Sequence, residues 1–343
     1  MTRVLVTGGA GFIGSNFVHY LHHKYPDYQI AVLDSLTYAG NLRNLESLLH
    51  SVTGGDRVSF VRMDICDAAV AEAMSGTDLV VHFAAESHVD RSIEDASAFV
   101  RTNVNGTWNL VEAARKNQVR RFLHVSTDEV YGSLGREGRF TETTPLMPTS
   151  PYAATKAASD LLVQAAIRTH GFPAIITRCS NNYGPYQFPE KLMPLMIAQA
   201  LAGEALPVYG DGMQVRDWIH VADHCRALDL VLHGGREDEV YNIGGDAERT
   251  NLDVVRTILR TLGKPETLIR HVTDRKAHDR RYAMDSTKLQ QELNWHPQWT
   301  FEAGLADTIR WYQQNTAWLD ETRSGDYRNY FERHYAQRGH TLA

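Results

Sequence analysis

The 343-residue sequence has few cysteines and no long hydrophobic run, and each absence excludes a class of protein. Its three cysteines, Cys66, Cys179 and Cys225, are scattered and odd in number, and no pair has the CxxC spacing of a zinc site. We therefore expect a reduced, cytoplasmic protein without a disulfide framework. No apolar run approaches the roughly 18 residues that span a bilayer, so we expect no membrane segment. The first predicted strand begins at Arg3, so we also expect no signal peptide.

A strong excess of one charge is also lacking. The 35 basic and 41 acidic residues give a formal net charge of −6, so we expect neither nucleic acid nor an anionic membrane as a partner. His220 and His224 are four residues apart, but no third ligand follows at a suitable spacing. We predict no metal site and interpret both histidines as packing or capping residues.

Short apolar runs alternate with helical patterns over the first half of the chain. The predicted strands are 3–7, 29–33, 58–62, 78–82, 121–125 and 174–178, and the predicted helices are 12–25, 96–116 and 152–170. This alternation predicts a Rossmann-type, doubly wound parallel sheet covered on both faces. After about residue 181 prolines, glycines and aromatics are dense, with helices expected near 253–262 and 301–314. We predict a domain over 1–180 and a smaller mixed α/β substrate-binding region over 181–343, from which some segments could return to the first domain.

A glycine-rich turn separates the first strand from the first helix. The stretch from Gly8 to Gly14 contains G-x-G-x-x-G, whose glycines permit a tight turn and let backbone N–H groups approach a pyrophosphate. Asp34 lies 20 residues after Gly14, where a carboxylate accepts hydrogen bonds from ribose hydroxyls and repels a 2′-phosphate. We therefore predict NAD as the cofactor of the first domain. The alternative is a turn that only lets helix and sheet pack closely.

Tyr152 and Lys156 are four residues apart on one face of a predicted helix. An ammonium group beside a phenol lowers the pKa of the phenol, so Tyr152 is suited to take the proton of a sugar hydroxyl while hydride leaves. The alternative is a solvated helical pair without a catalytic role.

Thr127, Asp128 and Glu129 follow the fifth predicted strand, at the edge where open α/β sheets bind ligands. Two neighbouring carboxyl groups at such a site can adopt different pKa values, so that one acts as an acid and the other as a base. Alternatively, Asp128 caps a turn and Glu129 is solvated.

Taken together, these features resemble the extended short-chain dehydrogenase/reductase superfamily over nearly the whole chain. The Thr-Asp-Glu triplet at 127–129, followed by Val-Tyr-Gly, is similar to that of the dTDP-glucose 4,6-dehydratase family, whereas related epimerases tend to lack the Asp-Glu pair. Related decarboxylases and GDP-mannose dehydratases tend to have Thr-Ser-Glu. The stretches 34–41, 84–92, 181–191 and 278–282 also resemble the dTDP-glucose family.

The resemblance implies a lyase of deoxysugar biosynthesis that converts dTDP-glucose to dTDP-4-keto-6-deoxyglucose and water. Tyr152, with Lys156 and Thr127, oxidises C4, and the hydride passes to a tightly bound NAD that is regenerated in each turnover. Glu129 removes the C5 proton, Asp128 protonates the departing C6 hydroxyl, and the hydride returns to C6. An NAD-dependent nucleotide-sugar 4-epimerase or decarboxylase is the alternative, and a non-catalytic NAD-sensing protein is a remote one.

The resemblance also implies which residues bind each ligand. Those expected at NAD are Gly8, Gly11, Phe12, Ile13, Gly14, Asp34, Ser35, Leu36, Thr37, Asp64, Ile65, Phe83, Ala84, Ala85, Ser87, Thr102, Tyr152, Lys156 and Asn182. Those expected at the nucleotide sugar are Glu86, Ser87, Thr127, Asn181, Lys191, Leu192, Pro207, Tyr209, Arg216, Asn251, His278, Arg281 and Tyr282. We further expect a homodimer that pairs the helices at 96–116 and 152–170.

Overall fold

The computed structural model describes residues 1–49, 57–324, 330 and 333–335. The strands within these residues are β1 (Arg3–Thr7), β2 (Gln29–Asp34), β3 (Val58–Arg62), β4 (Leu79–His82), β5 (Arg121–Thr127), β6 (Ala174–Cys179), β7 (Asn181–Tyr183), β8 (Leu206–Tyr209), β9 (Val215–His220), β10 (Val240–Ile243), β11 (Glu248–Thr250) and β12 (Ile269–Val272). The α-helices are α1 (Phe12–Lys24), α2 (Glu46–Leu49), α3 (Val70–Ala73), α4 (Val89–Glu94), α5 (Ser97–Phe99), α6 (Thr107–Lys116), α7 (Pro151–His170), α8 (Leu192–Ala202), α9 (Val221–Gly234), α10 (Asn251–Thr261), α11 (Thr287–Leu293), α12 (Phe301–Gln314) and α13 (Thr316–Thr322). Tighter 3-10 turns lie at Leu42–Leu45, Asp128–Tyr131 and Glu266–Leu268.

A seven-stranded sheet in the order β10-β6-β5-β4-β1-β2-β3 forms the centre of the molecule. All its neighbouring strands are parallel. One apolar cluster joins the sheet to α1 and α9, and another joins it to α6 and α7. Burial on both faces explains why strands such as β1 are almost continuously apolar. The predicted Rossmann-type fold is confirmed, and the seventh strand, β10, comes from beyond residue 181.

The end signals of α7 are written in the sequence. Ser150 Oγ accepts a hydrogen bond from the backbone N–H of Ala153 at 3.2 Å, which satisfies a donor of the first turn. Pro151 suits the first helical position because its missing N–H would have no intrahelical partner. Gly171 ends the helix with a φ of +60°. These signals fix the helix that carries Tyr152 and Lys156.

The helix predicted over 96–116 is interrupted. Between α5 and α6 the chain forms a π-helical stretch, Val100–Gly106. This wider turn directs buried Asn103 towards Glu86, whose backbone N–H and C=O it binds at 2.9 and 3.0 Å. Asn103 Nδ2 also donates to Thr155 Oγ1 at 3.0 Å, so the stretch joins the loop after β4 to α7. π-helical turns are frequent at functional sites.

The remaining elements build a smaller region beside the carboxyl ends of the sheet. It contains a three-stranded sheet, β11-β9-β7, and the pair β12-β8. Helices α8, α10 and α12 pack around its own apolar cluster. None of the helices that the structure describes is long and apolar enough to cross a membrane.

Candidate active site

A cavity of about 440 Å³ lies along the carboxyl ends of β1, β2, β4, β5 and β6. A second cavity of about 160 Å³ adjoins it beneath the smaller region. Both are lined by Glu129, Asn181, Glu190, Lys191, Leu192 and Trp218, so the two form one continuous site. Open parallel sheets bind ligands at this edge.

The larger cavity brings together nearly all residues predicted at the cofactor and the reacting sugar. It is lined by Gly8, Gly11, Phe12, Ile13, Gly14, Asp34, Ser35, Thr37, Asp64, Ile65, Phe83, Ala84, Ala85, Glu86, Ser87, Thr102, Thr127, Asp128, Glu129, Tyr152, Lys156, Asn181 and Asn182. Leu36 does not line it: this residue has a φ of +55°, and its backbone N–H donates to Asp34 Oδ1 at 2.8 Å. Leu36 therefore supports Asp34 through its main chain.

The glycine turn is shaped by contacts that leave no room for side chains. A Cβ on Gly8 would lie 2.6 Å from the backbone nitrogen of Ala84, and one on Gly14 would lie 2.2 Å from the carbonyl oxygen of Gly8. At Gly11 a Cβ would lie 3.3 Å from the carbonyl oxygen of Gly8, which is also a tight contact. Gly11 is the N-cap of α1 and provides no side-chain cap, which leaves the first N–H groups of the helix for an anion.

Asp34 ends β2 with its side chain buried. Oδ2 accepts from the backbone N–H of Ala10 at 3.0 Å, and Oδ1 accepts from that of Leu36. Burial raises the pKa of Asp34, and the two backbone hydrogen bonds oppose this effect. Each carboxylate oxygen keeps a second lone pair for a ribose hydroxyl. The glycine turn and Asp34 thus fit the diphosphate and adenosine ribose of a dinucleotide.

Tyr152 and Lys156 lie buried on the inner face of α7. Lys156 Nζ donates to the carbonyl oxygen of Val125 at 2.9 Å. Burial lowers the pKa of Lys156, and Asp160 partly restores it. The pKa of Tyr152 lies well above its usual range, because burial and then the charge of Glu129 disfavour the phenolate, while a hydrogen bond with Thr127 opposes them. The structure therefore does not reproduce the predicted lowering by Lys156, whose ammonium is held by Val125.

Asp128 and Glu129 open the 3-10 turn that follows β5, and they differ in their surroundings. Asp128 is only 2% exposed; its Oδ1 accepts from Thr127 Oγ1 at 3.2 Å, and its Oδ2 has no partner among the described residues. Burial and the neighbouring Glu129 raise the pKa of Asp128 well above its usual range. Burial also raises the pKa of Glu129, but Arg275, Lys191 and Arg216 oppose the shift. The pair thus combines a carboxyl group whose protonated form is favoured by burial with one surrounded by cations, as an acid and a base require.

The smaller cavity gathers three cations around Glu129, none of them in a close ion pair within the described part of the chain. Among the described residues, no carboxylate lies within ion-pair distance of Lys191, Arg216 or Arg275, all of which line it. Arg216 is buried over the ring of Tyr282 at 4.3 Å and donates to the carbonyl oxygens of Val215 and Asp279. Buried guanidinium groups with free donors are suited to phosphate. The predicted residues Asn181, Leu192, Pro207, Tyr209, Asn251 and His278 also line this cavity.

Comparison with known proteins adds the decisive observation. A model of the GDP-mannose 4,6 dehydratase family matches residues 5–308. A Xanthomonas campestris pv. campestris protein named dTDP-glucose 4,6-dehydratase is 54% identical, with 96% of this chain and 98% of the relative covered. This chain belongs to the dTDP-glucose 4,6-dehydratase family. The family predicted from the 127–129 triplet is thereby confirmed.

Solved structures show that the fold is shared beyond the family. The structure of DesIV, a dTDP-glucose 4,6-dehydratase from Streptomyces venezuelae with NAD and TYD bound, is 52% identical with a TM-score of 0.90, covering 94% of this chain and 100% of DesIV. A Thermus thermophilus UDP-glucose 4-epimerase in complex with NAD has a TM-score of 0.83 at 31% identity, covering 92% and 100% of the two chains. Because the fold is shared with an epimerase, the separation from that group depends on the site residues.

One residue predicted at the substrate lies elsewhere. Arg281 lines neither cavity: it is paired with Glu248 at 2.7 and 3.1 Å and donates to the carbonyl oxygen of Gly138 at 2.9 Å. Arg275 lines the smaller cavity instead, and sequence reasoning missed it. Its position three residues before His278 was the available signal, because the same loop had already been assigned to the substrate. Glu190 and Trp218, which line both cavities, were missed as well.

The two histidines considered as metal ligands have structural partners. His220 is the N-cap of α9, where its Nδ1 accepts from the backbone N–H of Ala222 at 3.4 Å. His224 Nδ1 lies 2.8 Å from Asn182 Oδ1, so this buried ring supports a residue of the larger cavity.

Proposed function

We propose that this chain is an NAD-dependent dTDP-glucose 4,6-dehydratase, a hydro-lyase that forms dTDP-4-keto-6-deoxyglucose and water in deoxysugar biosynthesis. The observation that carries the proposal is the Asp128–Glu129 pair, which lines one cavity with Tyr152 and Lys156. Oxidation at C4 needs only the second pair. Elimination of water needs an additional acid and base, and the first pair supplies them.

The residues of the larger cavity fit NAD, which accepts a hydride and returns it when bound. Gly8, Gly11 and Gly14 allow the tight turn that would present the first N–H groups of α1 to its diphosphate, and Asp34 would accept hydrogen bonds from its adenosine ribose. We propose as its other contacts the remaining predicted residues that line this cavity: Phe12, Ile13, Ser35, Thr37, Asp64, Ile65, Phe83, Ala84, Ala85, Ser87, Thr102, Tyr152, Lys156 and Asn182. Asn182 is fixed there by His224 and by a bond from its Nδ2 to the carbonyl oxygen of Ser180 at 3.0 Å.

The protein groups divide the proton transfers among them. Tyr152 accepts the proton of the C4 hydroxyl, and Thr127 orients the C4 oxygen. The ammonium of Lys156 is one helical turn from Tyr152 and is held by the carbonyl oxygen of Val125, and we propose that its charge opposes the effect of burial on the phenolate. A ketone at C4 acidifies the C5 hydrogen, which Glu129 removes. Asp128, whose protonated form is favoured by burial, delivers its proton to the departing C6 hydroxyl, which leaves as water.

The smaller cavity is proposed to hold the nucleoside diphosphate. Lys191 donates to the carbonyl oxygen of Ser87 at 2.6 Å, so it lies where the two cavities meet. Arg216 and Arg275 lie beyond it and face the diphosphate in this assignment. Tyr209, Asn251, His278 and Tyr282 then surround the base and its sugar.

The reaction itself is the test. Purified protein is incubated with dTDP-glucose and no added NAD, and the product is analysed by mass spectrometry. We expect loss of one water and a 4-keto-6-deoxy product, with NAD supplied by the protein. If instead a C4 epimer or carbon dioxide forms from other sugar nucleotides, and no water is lost, the chain is an epimerase or a decarboxylase.

We also propose a homodimer, as expected from the two long helices. Leu161 on α7 is 55% exposed, and Val100 and Trp108 on the packed neighbouring segment are 46% and 36% exposed. A second copy would cover this apolar face. Light scattering should give twice the chain mass, and Leu161→Glu should shift it towards one chain mass. A cytoplasmic location agrees with the three free cysteines, two of them buried.

The division at residues 1–180 and 181–343 stays a proposal. In it, the second part is mainly the nucleotide-sugar region, and α9 and β10 belong to the first part because they pack on the large sheet.

A further inference from the structure

A chain of buried polar side chains runs behind the site, outside both cavities. Asp160 Oδ2 accepts from Arg178 Nε at 2.8 Å. Arg178 Nη1 donates to the Tyr131 hydroxyl at 2.9 Å, and this hydroxyl donates to Asn242 Oδ1 at 2.8 Å. Four segments are joined in this way: α7, β6, the 3-10 turn at Asp128–Tyr131 and β10.

The burial of this chain argues against a simple stabilising role. Asp160 is 0% exposed, Arg178 2% and Tyr131 3%. His124 Nε2 lies 3.2 Å from Asp160 Oδ1, but burial lowers the pKa of His124 to about 4, so its ring is neutral at physiological pH. Because desolvation offsets much of the attraction in a buried ion pair, such a pair is weak evidence for stability. We therefore interpret these hydrogen bonds as contacts that fix the positions of the four segments relative to one another.

Two members of this chain, Asp160 and Tyr131, lie beside the two halves of the proposed chemistry. Asp160 follows Lys156 by one helical turn and Tyr152 by two, on the same buried face of α7. Tyr131 ends the 3-10 turn that begins with Asp128 and Glu129. Arg178 connects them from β6, where it is the register partner of Ser126 on β5.

We propose that Tyr131, held by Arg178 and Asp160, is a positioning residue for the elimination of water. It fixes the 3-10 turn so that Asp128 and Glu129 keep their places relative to Tyr152 on α7. This inference rests on the proposed function and specifies how two parts of that site are set against each other.

The variant Tyr131→Phe removes the hydroxyl and keeps the ring, which stacks on Phe140 at 4.9 Å and lies 4.9 Å from the Arg178 guanidinium. Tyr241→Phe is the matched control. It is the neighbour of Asn242 on β10, and its hydroxyl binds Glu292 at 2.7 Å, outside the chain. The thermal unfolding of both variants is compared with that of the wild type.

Single turnovers with dTDP-glucose separate the steps. Absorbance follows enzyme-bound NADH, and quenched samples report the loss of water by mass. For Tyr131→Phe we expect water loss to slow by about tenfold, the effect of losing one hydrogen bond to a charged group, with NADH formation changed less than about twofold. Bound NADH and the 4-keto hexose should then accumulate. Tyr241→Phe should show neither effect.

Equal slowing of both steps in Tyr131→Phe, or no change in either, would overturn the inference while leaving the proposed function intact. A wild-type enzyme that forms NADH from dTDP-glucose but loses no water would overturn both. A split in Tyr241→Phe equal to that in Tyr131→Phe would also contradict the positioning role, because that hydroxyl does not contact the chain.

Discussion

The two adjoining cavities are built in opposite ways. The larger one is shaped by main chain and small residues, among them Gly8, Gly11, Ala84 and Ala85. The smaller one is shaped by long cationic and aromatic side chains from β9, the loop after β12 and the segment before α8. The first leaves backbone donors accessible at its glycine turn, whereas the second brings in Lys191, Arg216 and Arg275, which form no close ion pair within the part of the chain that the structure describes. Glu129 lines both.

This difference predicts how each cavity fails. A substitution at a glycine of the larger cavity adds atoms where none fit, so NAD binding should be lost completely, for steric reasons. A substitution in the smaller cavity removes one of several charges. Binding of the substrate should therefore weaken by degrees, and binding of NAD should not change.

The largest effect is expected from Gly14→Val, because even a Cβ would lie 2.2 Å from the carbonyl oxygen of Gly8. We expect the purified variant to contain essentially no NAD and to unfold at a lower temperature. The measurement is chromatography of nucleotides released on denaturation. Gly135→Ala is the control, since a Cβ there meets nothing within 4 Å. Retention of wild-type NAD content by Gly14→Val would show that the turn does not hold the cofactor.

Asp128→Asn tests the proposed acid of the larger cavity. An amide cannot deliver the proton that the C6 hydroxyl needs, so water loss should slow by about a hundredfold or more. Formation of bound NADH should change by less than about tenfold. Asp253→Asn, a substitution at the exposed start of α10, is the control. If oxidation and elimination slowed equally, Asp128 would not be the acid that protonates the departing C6 hydroxyl.

Arg216→Gln tests the smaller cavity. Loss of a charged donor to phosphate should raise the KM for dTDP-glucose by about ten- to a hundredfold with the NAD content unchanged. Arg281→Gln, in the arginine that pairs with Glu248, should raise it by less than about threefold. Steady-state kinetics of both variants decide the point, and a larger effect at Arg281 would reverse the assignment.

The smallest effect is expected away from both cavities, where α1 packs on α9. Burial opposes the charge of His233, but hydrogen bonds to Asp229 outweigh it and raise the pKa of His233. The resulting stability is fully present below the unfolded pKa of about 6.5 and is lost as pH rises through the higher folded value. The thermal midpoint of the wild type should exceed that of His233→Gln at about pH 6 and approach it at about pH 8. Activity should be the same in both, and a constant difference would exclude this linkage.

The same contrast explains what sequence reasoning could predict. The glycine turn and Asp34 could be predicted from the sequence. Close backbone contacts at the turn allow only glycine, and these glycines lie close to one another in the chain. The six predicted strands are confirmed to within two residues; β5 extends through Ser126 and Thr127, which continue the ladder with Arg178 and Cys179.

Recognition by side chains was harder to predict. Arg275 and Arg281 carry the same charge and lie in one loop, so the sequence does not distinguish their roles. The difference comes from Glu248 on β11, which pairs with Arg281. The π-helical stretch was likewise not predicted, because the contacts of Asn103 that accompany it are with residues distant in sequence. Tyr131 carried no signal of its own beside the carboxylates.

The path of the chain through β10 restricts how this enzyme could be rebuilt. The polypeptide leaves the large sheet after β6, builds part of the smaller region, returns through α9 and β10, and leaves again. A single cut would therefore not separate the part that we propose to hold the sugar nucleotide. Exchanging it for that of a relative with another specificity would require at least two grafted segments, both matched to the same edge strand.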